Sequence, residues 1–167
     1  MSNIILRNPT VDDAISVLSL IRNCNPLDEN SQYLYVLLCD QFSKTCVIAE
    51  LDSKVVGFLS SFISPKNPDT LFIWQAAVSE KFRNKGMAKN LLSYVLNHHG
   101  NSIKNLVATV TSSNKSSLKF LKNFSKDLGA DFSIKTYYSS KVLGSNHESE
   151  DLVTIGPIPK QLKEITV

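Results

Sequence analysis

The sequence predicts an α+β fold in which a mostly antiparallel central sheet is flanked by helices. Three observations lead to this prediction. Short apolar runs bounded by turn signals alternate with amphipathic segments at helical spacing along the 167 residues. Asp52-Ser53 separates two of the apolar runs and predicts a hairpin. A central stretch, 71–128, has the order strand, helix, strand, helix.

The predicted elements can be placed in order along the chain. Strands are expected at 4–6, 46–50, 55–63, 71–78, 106–110, 132–139 and 152–155, and helices at 11–23, 32–42, 87–98 and 114–128. There is no internal repeat and no interdomain linker, so residues 1–159 are expected to form a single domain. Residues 160–167 are expected to form a frayed C-terminal tail.

Capping signals place the two N-terminal helices. Thr10 can cap the first helix, which has two aspartates in its first turn and ends near Asn23. Its apolar face is expected to contain Val11, Ile15, Leu18 and Ile21. The second helix starts at Asn30 or Ser31. Its apolar residues include Tyr33, Val36 and Leu37 at helical spacing, and Tyr35, Leu38 and Phe42, which widen the apolar surface. So many on a short helix favour burial on more than one side.

Two glycines mark the ends of the later helices. Gly100 and Gly129 follow the third and fourth helices, where each can adopt the left-handed conformation that ends a helix. Asn114 can cap the fourth helix. Residues at core spacing on these helices are Leu91, Leu92, Val95, Leu96, Leu118, Leu121 and Phe124. A polar loop, 144–150, separates the last two strands.

A charged turn with one glycine connects the fourth predicted strand to the third helix. The turn, 83–88, has the sequence RNKGMA. The first amides of a helix lack intrahelical partners and carry partial positive charge, so they can bind a pyrophosphate. Gly86 permits close approach of a ligand because it has no Cβ, and Arg83, Lys85 and Lys89 add positive charge. The turn predicts a site for a phosphate-bearing cofactor; the alternative is a basic helix start on the surface.

This segment resembles the cofactor-binding motif of the GNAT acetyltransferase superfamily. The motif is Gln/Arg-x-x-Gly-x-Gly/Ala after a strand, and Arg83, Gly86 and Ala88 fit it. The resemblance implies a GNAT fold with a splayed central strand pair, acetyl-CoA as co-substrate, and no metal. The cofactor-binding residues that it implies are Ala76, Ala77, Val78, Arg83, Asn84, Lys85, Gly86, Met87, Ala88 and Asn114. Asn114 can alternatively be a helix cap alone.

Further segments resemble the diaminobutyrate acetyltransferases, a family within this superfamily. The matching segments are 26–33, 38–39, 72–78, 111–114, 147–150 and 155–157. The resemblance implies acetylation of the side-chain (γ) amine of L-2,4-diaminobutyrate, on the route to the compatible solute ectoine, by a homodimer. The alternatives are acetylation of another small amine or of protein amines, and a non-catalytic module that senses coenzyme A.

The implied substrate is a small diamino acid with ammonium groups and one carboxylate, so its binding needs protein carboxylates. The substrate-binding residues that the resemblance implies are Asp28, Tyr33, Cys39, Trp74, His147, Glu148 and Glu150. Each has a plainer alternative. Asp28 can be a helix cap. Trp74, Tyr33 and Cys39 can be core residues. The acidic pair beside His147 can belong to a solvated loop.

Catalysis requires that the amine lose a proton before it attacks. A primary amine with a pKa of about 10 is almost wholly protonated at neutral pH. We expect Glu150 or Asp28, alone or through water, to accept this proton. Trp74 is expected to line the site beside the acetyl group. Backbone N–H groups near 76–78 are expected to stabilise the developing negative charge on the carbonyl oxygen.

The residue that would act as general acid in the superfamily pattern is missing from this sequence. Many members use a tyrosine on the helix after the fifth strand to protonate the leaving thiolate. In this chain that helix has Phe120 and Phe124 and no tyrosine. The alternatives are Tyr137 or Tyr138 as the acid, or a thiolate that leaves unassisted.

Bulk properties exclude several classes of function. The net charge of +3 does not indicate the concentrated basic face of a nucleic-acid-binding protein. No apolar run is long enough to span a bilayer and the N-terminus lacks a signal-peptide pattern, so we expect a cytoplasmic protein without a membrane partner. Cys24, Cys39 and Cys46 have no metal-ligand spacing with the histidines, so free thiols are expected.

Overall fold

The computed structural model describes residues 3–24, 27–144 and 146–159; the predicted tail, 160–167, lies outside them. The strands are β1 (Ile5–Arg7), β2 (Val47–Leu51), β3 (Lys54–Ile63), β4 (Thr70–Val78), β5 (Asn105–Thr111), β6 (Phe132–Tyr138) and β7 (Glu150–Ile155). The helices are α1 (Ala14–Arg22), α2 (Gln32–Asp40), α3 (Met87–His99), α4 (Lys115–Leu128) and α5 (Ser140–Leu143). Within the described ranges, no helix combines the length and apolar character needed to cross a membrane.

The strands form one mixed sheet in the order β1-β2-β3-β4-β5-β7-β6. β4 and β5 run parallel, and the pairs β1–β2, β2–β3, β5–β7 and β6–β7 are antiparallel. The pairing of β4 with β5 runs from Thr70 opposite Asn105 to Ile73 opposite Ala108, although β4 itself continues to Val78. A mostly antiparallel sheet accompanied by helices confirms the predicted α+β class.

The described chain forms two compact units. Unit 1 contains the described residues up to Phe62 together with Trp74–His99, and unit 2 contains Ile63–Ile73 and the described residues from Gly100 onward. The apolar core of unit 1 is built mainly from α1, α2 and the strands β2 and β3. Its fully buried side chains include Val17, Ile21, Tyr35, Leu38, Ile48 and Phe58.

Thr10 is the N-cap of a 3₁₀ turn rather than of α1 itself, whose N-cap is Asp13, and the predicted apolar face is also corrected. A single 3₁₀ turn over Val11–Asp13 precedes α1, and the Thr10 amide donates to the Asp13 carboxylate at 2.7 Å. The side chains that α1 buries are Ala14, Val17, Leu18, Leu20 and Ile21. Val11 and Ile15 are 49% and 68% exposed, so their predicted core position is wrong. A 3₁₀ turn has 3.0 residues rather than 3.6, which displaces the buried stripe from the one predicted with a single helical period.

The second helix starts where its cap predicts. Ser31 is the N-cap, and its hydroxyl oxygen accepts a hydrogen bond from the Leu34 amide at 3.3 Å. The helix ends at Asp40, two residues before the predicted end. Its buried side chains are Tyr35, Leu38 and Cys39. Tyr33 and Phe42 are exposed, so the apolar surface predicted for this segment is only partly buried in the described chain.

The sheet of unit 2 has β7 between β5 and β6. Glu150, the first residue of β7, stands opposite Thr111 of β5 and Tyr138 of β6. The prediction that Glu150 belongs to the polar loop is therefore wrong, because β7 begins two residues earlier than its apolar residues indicate. The short helix α5 was also missed, since four residues carry no readable helical period.

The fourth helix has the predicted start and stop. The Asn114 side chain accepts a hydrogen bond from the Ser117 amide at 3.1 Å. Gly129 follows α4 in the left-handed conformation with φ of 64°. The helix buries Leu121 and Phe124 as expected, and it also buries Leu128.

Candidate functional site

The turn between β4 and α3 has the backbone conformation that its sequence indicates. Asn84 and Gly86 have φ of 59° and 79°, which lie in the left-handed region. The turn over 83–86 is exposed. The Asn90 amide donates to the Gly86 carbonyl at 3.0 Å, and this bond opens α3. The preceding amides of Met87 and Ala88 therefore have no acceptor inside the helix, as at any helix start.

Gly86 leaves open space beside this helix start. A Cβ placed on Gly86 would meet no atom of the described chain within 4 Å. The surface at this point can therefore accept a ligand against the main chain. A phosphate-bearing group fits it chemically, because main-chain N–H donors and the positive end of the α3 dipole lie together here.

Side chains tie the turn to β4 and to the core. The Arg83 Nε donates to the carbonyl oxygen of Val78 at 3.0 Å, so this guanidinium connects the turn to the end of the strand. The Lys85 ammonium lies 5.9 Å from the centroid of the Phe82 ring. The Met87 side chain is buried, so only its main chain can contact a ligand on the surface.

The last residues of β4 are fixed by contacts within unit 1. Ala77 is 1% exposed and packs in the core. The Val78 carbonyl accepts from the Cys24 thiol at 3.4 Å as well as from Arg83. The Ser79 amide donates to the Val56 carbonyl at 2.9 Å. These contacts hold the main chain of Ala76, Ala77 and Val78 rigidly beside the turn.

Trp74 is a surface residue rather than a core residue. Its side chain is 45% exposed. The indole meets the Phe62 ring edge-on with centroids 6.3 Å apart, and Phe62 meets Phe42 in the same way at 6.3 Å. An aromatic contact therefore holds the indole while nearly half of the residue stays accessible to a ligand.

Asp28 lies on a segment that is joined to β4. The Gln75 Nε2 donates to the Asp28 main-chain carbonyl at 2.9 Å. The neighbouring Glu29 carboxylate is engaged by Arg22 at 2.7 Å. The Asp28 carboxylate is exposed, and no residue of the described chain pairs with it. Asp28 therefore presents an exposed carboxylate on the segment that Gln75 contacts.

Gln75 and Tyr35 are joined to the segment that contains Asp28, and the sequence analysis did not name either as a candidate. The Tyr35 hydroxyl is on a side chain that is 0% exposed, and it donates to the Gln75 Oε1 at 3.3 Å. A usable signal was present, because Gln75 is the only polar side chain in the apolar run 71–78. A polar side chain in an otherwise apolar strand needs a hydrogen-bond partner, so Gln75 could have been named as a candidate for a specific contact.

Tyr33 and Cys39, both on α2, have opposite environments. Tyr33 is 70% exposed, whereas Cys39 is 1% exposed and packs in the core of unit 1. Burial, with a smaller contribution from the charge of Asp13, raises the pKa of the Cys39 thiol to about 12. A thiol with this pKa stays neutral at physiological pH and is a poor nucleophile.

The remaining candidates lie in unit 2. His147 and Glu148 are exposed, and Glu150 is half-buried at the start of β7. The His147 amide donates to the Gly144 carbonyl at 3.0 Å, which closes a turn. Partial burial, and then the neighbouring Tyr137 and Glu150, raise the pKa of Tyr138. The Tyr138 phenol therefore keeps its proton at neutral pH. In the described part of the chain, no group of three potential metal ligands is present.

Comparison with known proteins points to one family. Residues 15–125 match the acetyltransferase (GNAT) family. The chain is 39% identical over 158 residues to an L-2,4-diaminobutyric acid acetyltransferase of Chromohalobacter salexigens, covering 93% of this chain and 82% of the relative. It is 40% identical over 152 residues to a protein of the same name from Virgibacillus pantothenticus, covering 90% and 96%.

A solved structure is similar over almost the whole chain. It is the diaminobutyrate acetyltransferase of Paenibacillus lautus in complex with its substrate L-2,4-diaminobutyric acid and coenzyme A. The TM-score is 0.89 at 34% identity, and the match covers 97% of this chain and 99% of that one. The match confirms the predicted fold.

Proposed function

This chain belongs to the acetyltransferase (GNAT) family, and on that premise we propose that it acetylates the side-chain (γ) amine of L-2,4-diaminobutyrate. The acetyl donor is acetyl-CoA, and the product is N4-acetyl-L-2,4-diaminobutyrate. The observation that carries the proposal is the match of 97% of the chain, at a TM-score of 0.89, to a structure with this diamino acid and coenzyme A bound. The reaction belongs to the synthesis of ectoine, and its physiological role is osmoadaptation.

The turn after β4 is proposed to bind the diphosphate of acetyl-CoA. Three features support this proposal: the left-handed conformation of Gly86, the open space beside it, and the amides of Met87 and Ala88, which have no acceptor inside the helix. Arg83 and Lys85 supply positive charge at the same turn, and Asn84 helps to form it. Main-chain groups of 76–78 are proposed to hold the pantetheine arm and the thioester, with Asn114 as a further contact.

The diamino acid is proposed to bind through acidic and aromatic side chains. The proposed contacts are Asp28, Tyr33, Cys39, Trp74, His147, Glu148 and Glu150. Exposed carboxylates suit the ammonium groups of the substrate, and the accessible indole of Trp74 suits its aliphatic part or an ammonium group. Cys39 has the weakest support of this set, since its side chain is buried.

The proposed reaction is direct attack of the amine on the thioester. Glu150 or Asp28 accepts one proton from the substrate ammonium, alone or through water, and the neutral nitrogen then attacks the carbonyl carbon. Main-chain N–H groups near 76–78 stabilise the negative charge on the carbonyl oxygen. The C–N bond forms and the C–S bond breaks; the nitrogen then gives up its second proton to solvent, and the thiolate of coenzyme A takes up a proton. Tyr137 or Tyr138 is the candidate donor, and unassisted departure is the alternative.

The setting of the enzyme is also part of the proposal. We place it in the cytoplasm, and its free cysteines, Cys24, Cys39 and Cys46, suit a reducing compartment. We propose that it is a homodimer formed from one domain per chain, over residues 1–159. The exposed apolar side chains on and after α2, Tyr33 and Phe42, support an association of two copies. Light scattering coupled to size exclusion measures the mass directly.

A thiol-release assay tests the proposed reaction. The protein is incubated with acetyl-CoA and one amine at a time: L-2,4-diaminobutyrate, lysine, ornithine or a peptide with a free N-terminus. Release with diaminobutyrate alone, with an acetyl group on N4 by NMR, is the expected result. Release only with the peptide would identify an enzyme acting on protein amines. Binding of coenzyme A without release with any amine would identify a sensor.

A further inference from the structure

A chain of hydrogen bonds joins β4 to the segment that contains Asp28. The Gln75 Nε2 donates to the Asp28 carbonyl at 2.9 Å. The Gln75 Oε1 accepts from the Tyr35 hydroxyl at 3.3 Å, and the same hydroxyl accepts from the Asn30 amide at 3.3 Å. The segment 28–30 is therefore held at both ends, by β4 at Asp28 and by α2 at Asn30.

The orientation of the Gln75 amide follows from its partners. The Asp28 carbonyl can only accept, so the group that faces it must be the NH₂ of the amide. The amide oxygen then faces Tyr35, whose hydroxyl has a proton to donate. With the amide reversed, two oxygens would face each other at Asp28. The arrangement therefore needs a glutamine, since a glutamate or a methionine at position 75 has no donor for Asp28.

The anchor of this chain is a buried phenol. Tyr35 is 0% exposed, so its hydroxyl cannot exchange its protein partners for bulk water. β4 contributes a second fixed point, because the Ser60 hydroxyl donates to the Gln75 main-chain carbonyl at 3.4 Å. A side chain held at both its main chain and its amide has little freedom to move, and it transmits that rigidity to Asp28.

We propose that Gln75, anchored by Tyr35, is a positioning residue that fixes the main chain of Asp28 and so places the origin of its carboxylate side chain for the ammonium group of the substrate. The inference rests on the proposed function, in which Asp28 binds the diamino acid. Asp28 and Glu29 are otherwise surface residues of a connection between two helices. Without the Gln75 bond, the main chain at Asp28 is held less tightly, and the substrate must supply the free energy that orders the segment together with its carboxylate.

The first test replaces the amide. Gln75→Met removes the bond to Asp28 and is expected to raise the KM for diaminobutyrate about three- to tenfold, which corresponds to one net hydrogen bond. The KM for acetyl-CoA and the affinity for coenzyme A are expected to stay unchanged. The matched control is Gln41→Met, since Gln41 is exposed and, within the described residues, its amide bonds the adjacent Asp40 carboxylate at 2.7 Å. Equal KM values in Gln75→Met and in the wild type would overturn the proposal.

A second variant guards against a folding defect. Gln75→Met leaves the buried Tyr35 hydroxyl without its acceptor, which destabilises the protein. The double variant Tyr35→Phe/Gln75→Met removes both polar groups, so its thermal midpoint is expected to recover towards that of the wild type. Its KM for diaminobutyrate is expected to stay raised at least to the level of Gln75→Met, because the double variant also removes the bond that holds the Asn30 amide. Recovery of that KM together with stability would show a purely structural role and overturn the proposal.

A double-mutant cycle tests whether Gln75 acts through Asp28. In the Asp28→Asn background, Gln75→Met is expected to change the KM for diaminobutyrate less than twofold, because the carboxylate that it positions is already absent. Full additivity of the two changes would contradict the proposal. A wild-type protein that fails to acetylate diaminobutyrate would refute the proposed function instead. Failure of the Gln75 proposal and failure of the proposed function can therefore be told apart, since each variant of the cycle is compared with the activity of the wild-type protein.

Discussion

The turn after β4 and the segment around Asp28 both belong to unit 1, yet different contacts hold them. The turn is held locally: Arg83 and the Val78 carbonyl are five residues apart, and left-handed Asn84 and Gly86 shape the main chain between β4 and α3. The Asp28 segment is held from a distance, because Gln75 is 47 residues away in sequence. The conformation of the turn is thus set by residues close in sequence, whereas the position of the Asp28 segment depends on residues that are distant in sequence.

The difference explains what each region can recognise. A locally formed turn presents main-chain N–H groups, which suit the diphosphate that all members of a cofactor-dependent family share. The segment presents a side-chain carboxylate, whose position can change whenever a distant residue changes. Within a fold family, we therefore expect substrate choice to depend on segments such as the one around Asp28, which distant residues hold in place.

The largest expected effect comes from removing a candidate base. Glu150→Gln is expected to lower kcat on the order of a hundredfold or more, as for the loss of a general base, with little change in coenzyme A affinity. Asp28→Asn is the paired variant, and stopped-flow thiol release measures both. A large loss in Glu150→Gln with only a raised KM in Asp28→Asn assigns proton removal to Glu150 and binding to Asp28. An unaltered kcat in Glu150→Gln rules out Glu150 as the base.

The next largest effect is expected at the turn. Gly86→Val places a branched side chain in the open space where the diphosphate is proposed to lie, and at a φ of 79° that a branched residue resists. Coenzyme A affinity is expected to fall about ten- to a hundredfold by calorimetry, since charge-assisted bonds are lost.

Gly100→Val is the matched control for this prediction. Gly100 follows α3, has φ of 53° and also has no atom within 4 Å of an added Cβ. It therefore imposes a similar conformational penalty without touching the proposed site. Equal losses of affinity in the two variants would mean that strain, and not contact with the diphosphate, explains the result for Gly86.

A smaller effect is expected at Trp74, which adjoins Gln75 on β4. Trp74→Ala is expected to raise the KM for diaminobutyrate about tenfold, and Trp74→Phe less, as for the loss of a cation–π or apolar contact. Phe42→Ala is the control, since Phe42 is 42% exposed at the other end of the same aromatic row. A KM raised equally by Phe42→Ala would show that the row as a whole, rather than the indole, supports the substrate.

The smallest effect on catalysis is expected at Arg7, outside both regions. Its guanidinium bonds Asp13 at 2.8 Å and Glu50 at 2.6 Å. The hydrogen bond from Arg7 is the main cause that lowers the pKa of Asp13. Because the pKa of Asp13 is lower in the folded than in the unfolded state, its carboxylate stabilises the folded protein at pH values above the unfolded-state pKa, about 4. This stabilisation is lost as the pH falls through the pKa of the folded state.

Arg7→Met is therefore expected to lower the thermal midpoint at pH 7 and to leave both KM values unchanged. The difference in midpoint between variant and wild type is expected to shrink below about pH 4, as scanning calorimetry can measure. A changed KM for diaminobutyrate would mean that the substrate region responds to general loss of stability, and the contrast between the two regions would lose its basis.

Local signals made most of the fold predictable. Caps at Ser31 and Asn114, the turn at 52–53 and the stop at Gly129 all operate within a few residues, and each is found where it was expected. The exposed Val11 and Ile15 were misplaced because a 3₁₀ turn interrupts the helical period. Glu150 was assigned to a loop because pairing with two neighbouring strands, not its own propensity, extends β7 to it.

The sequence by itself determined the order of the strands and of the four longer helices, the glycine turn before α3 and the family of the chain, because these depend on residues close together or on their linear pattern. Only the tertiary structure decided that Trp74 is accessible, that Cys39 is buried and that Gln75 reaches Asp28. Accessibility and long-range hydrogen bonds depend on which elements pack together, and no local pattern in the chain records the partner of an amide 47 residues away.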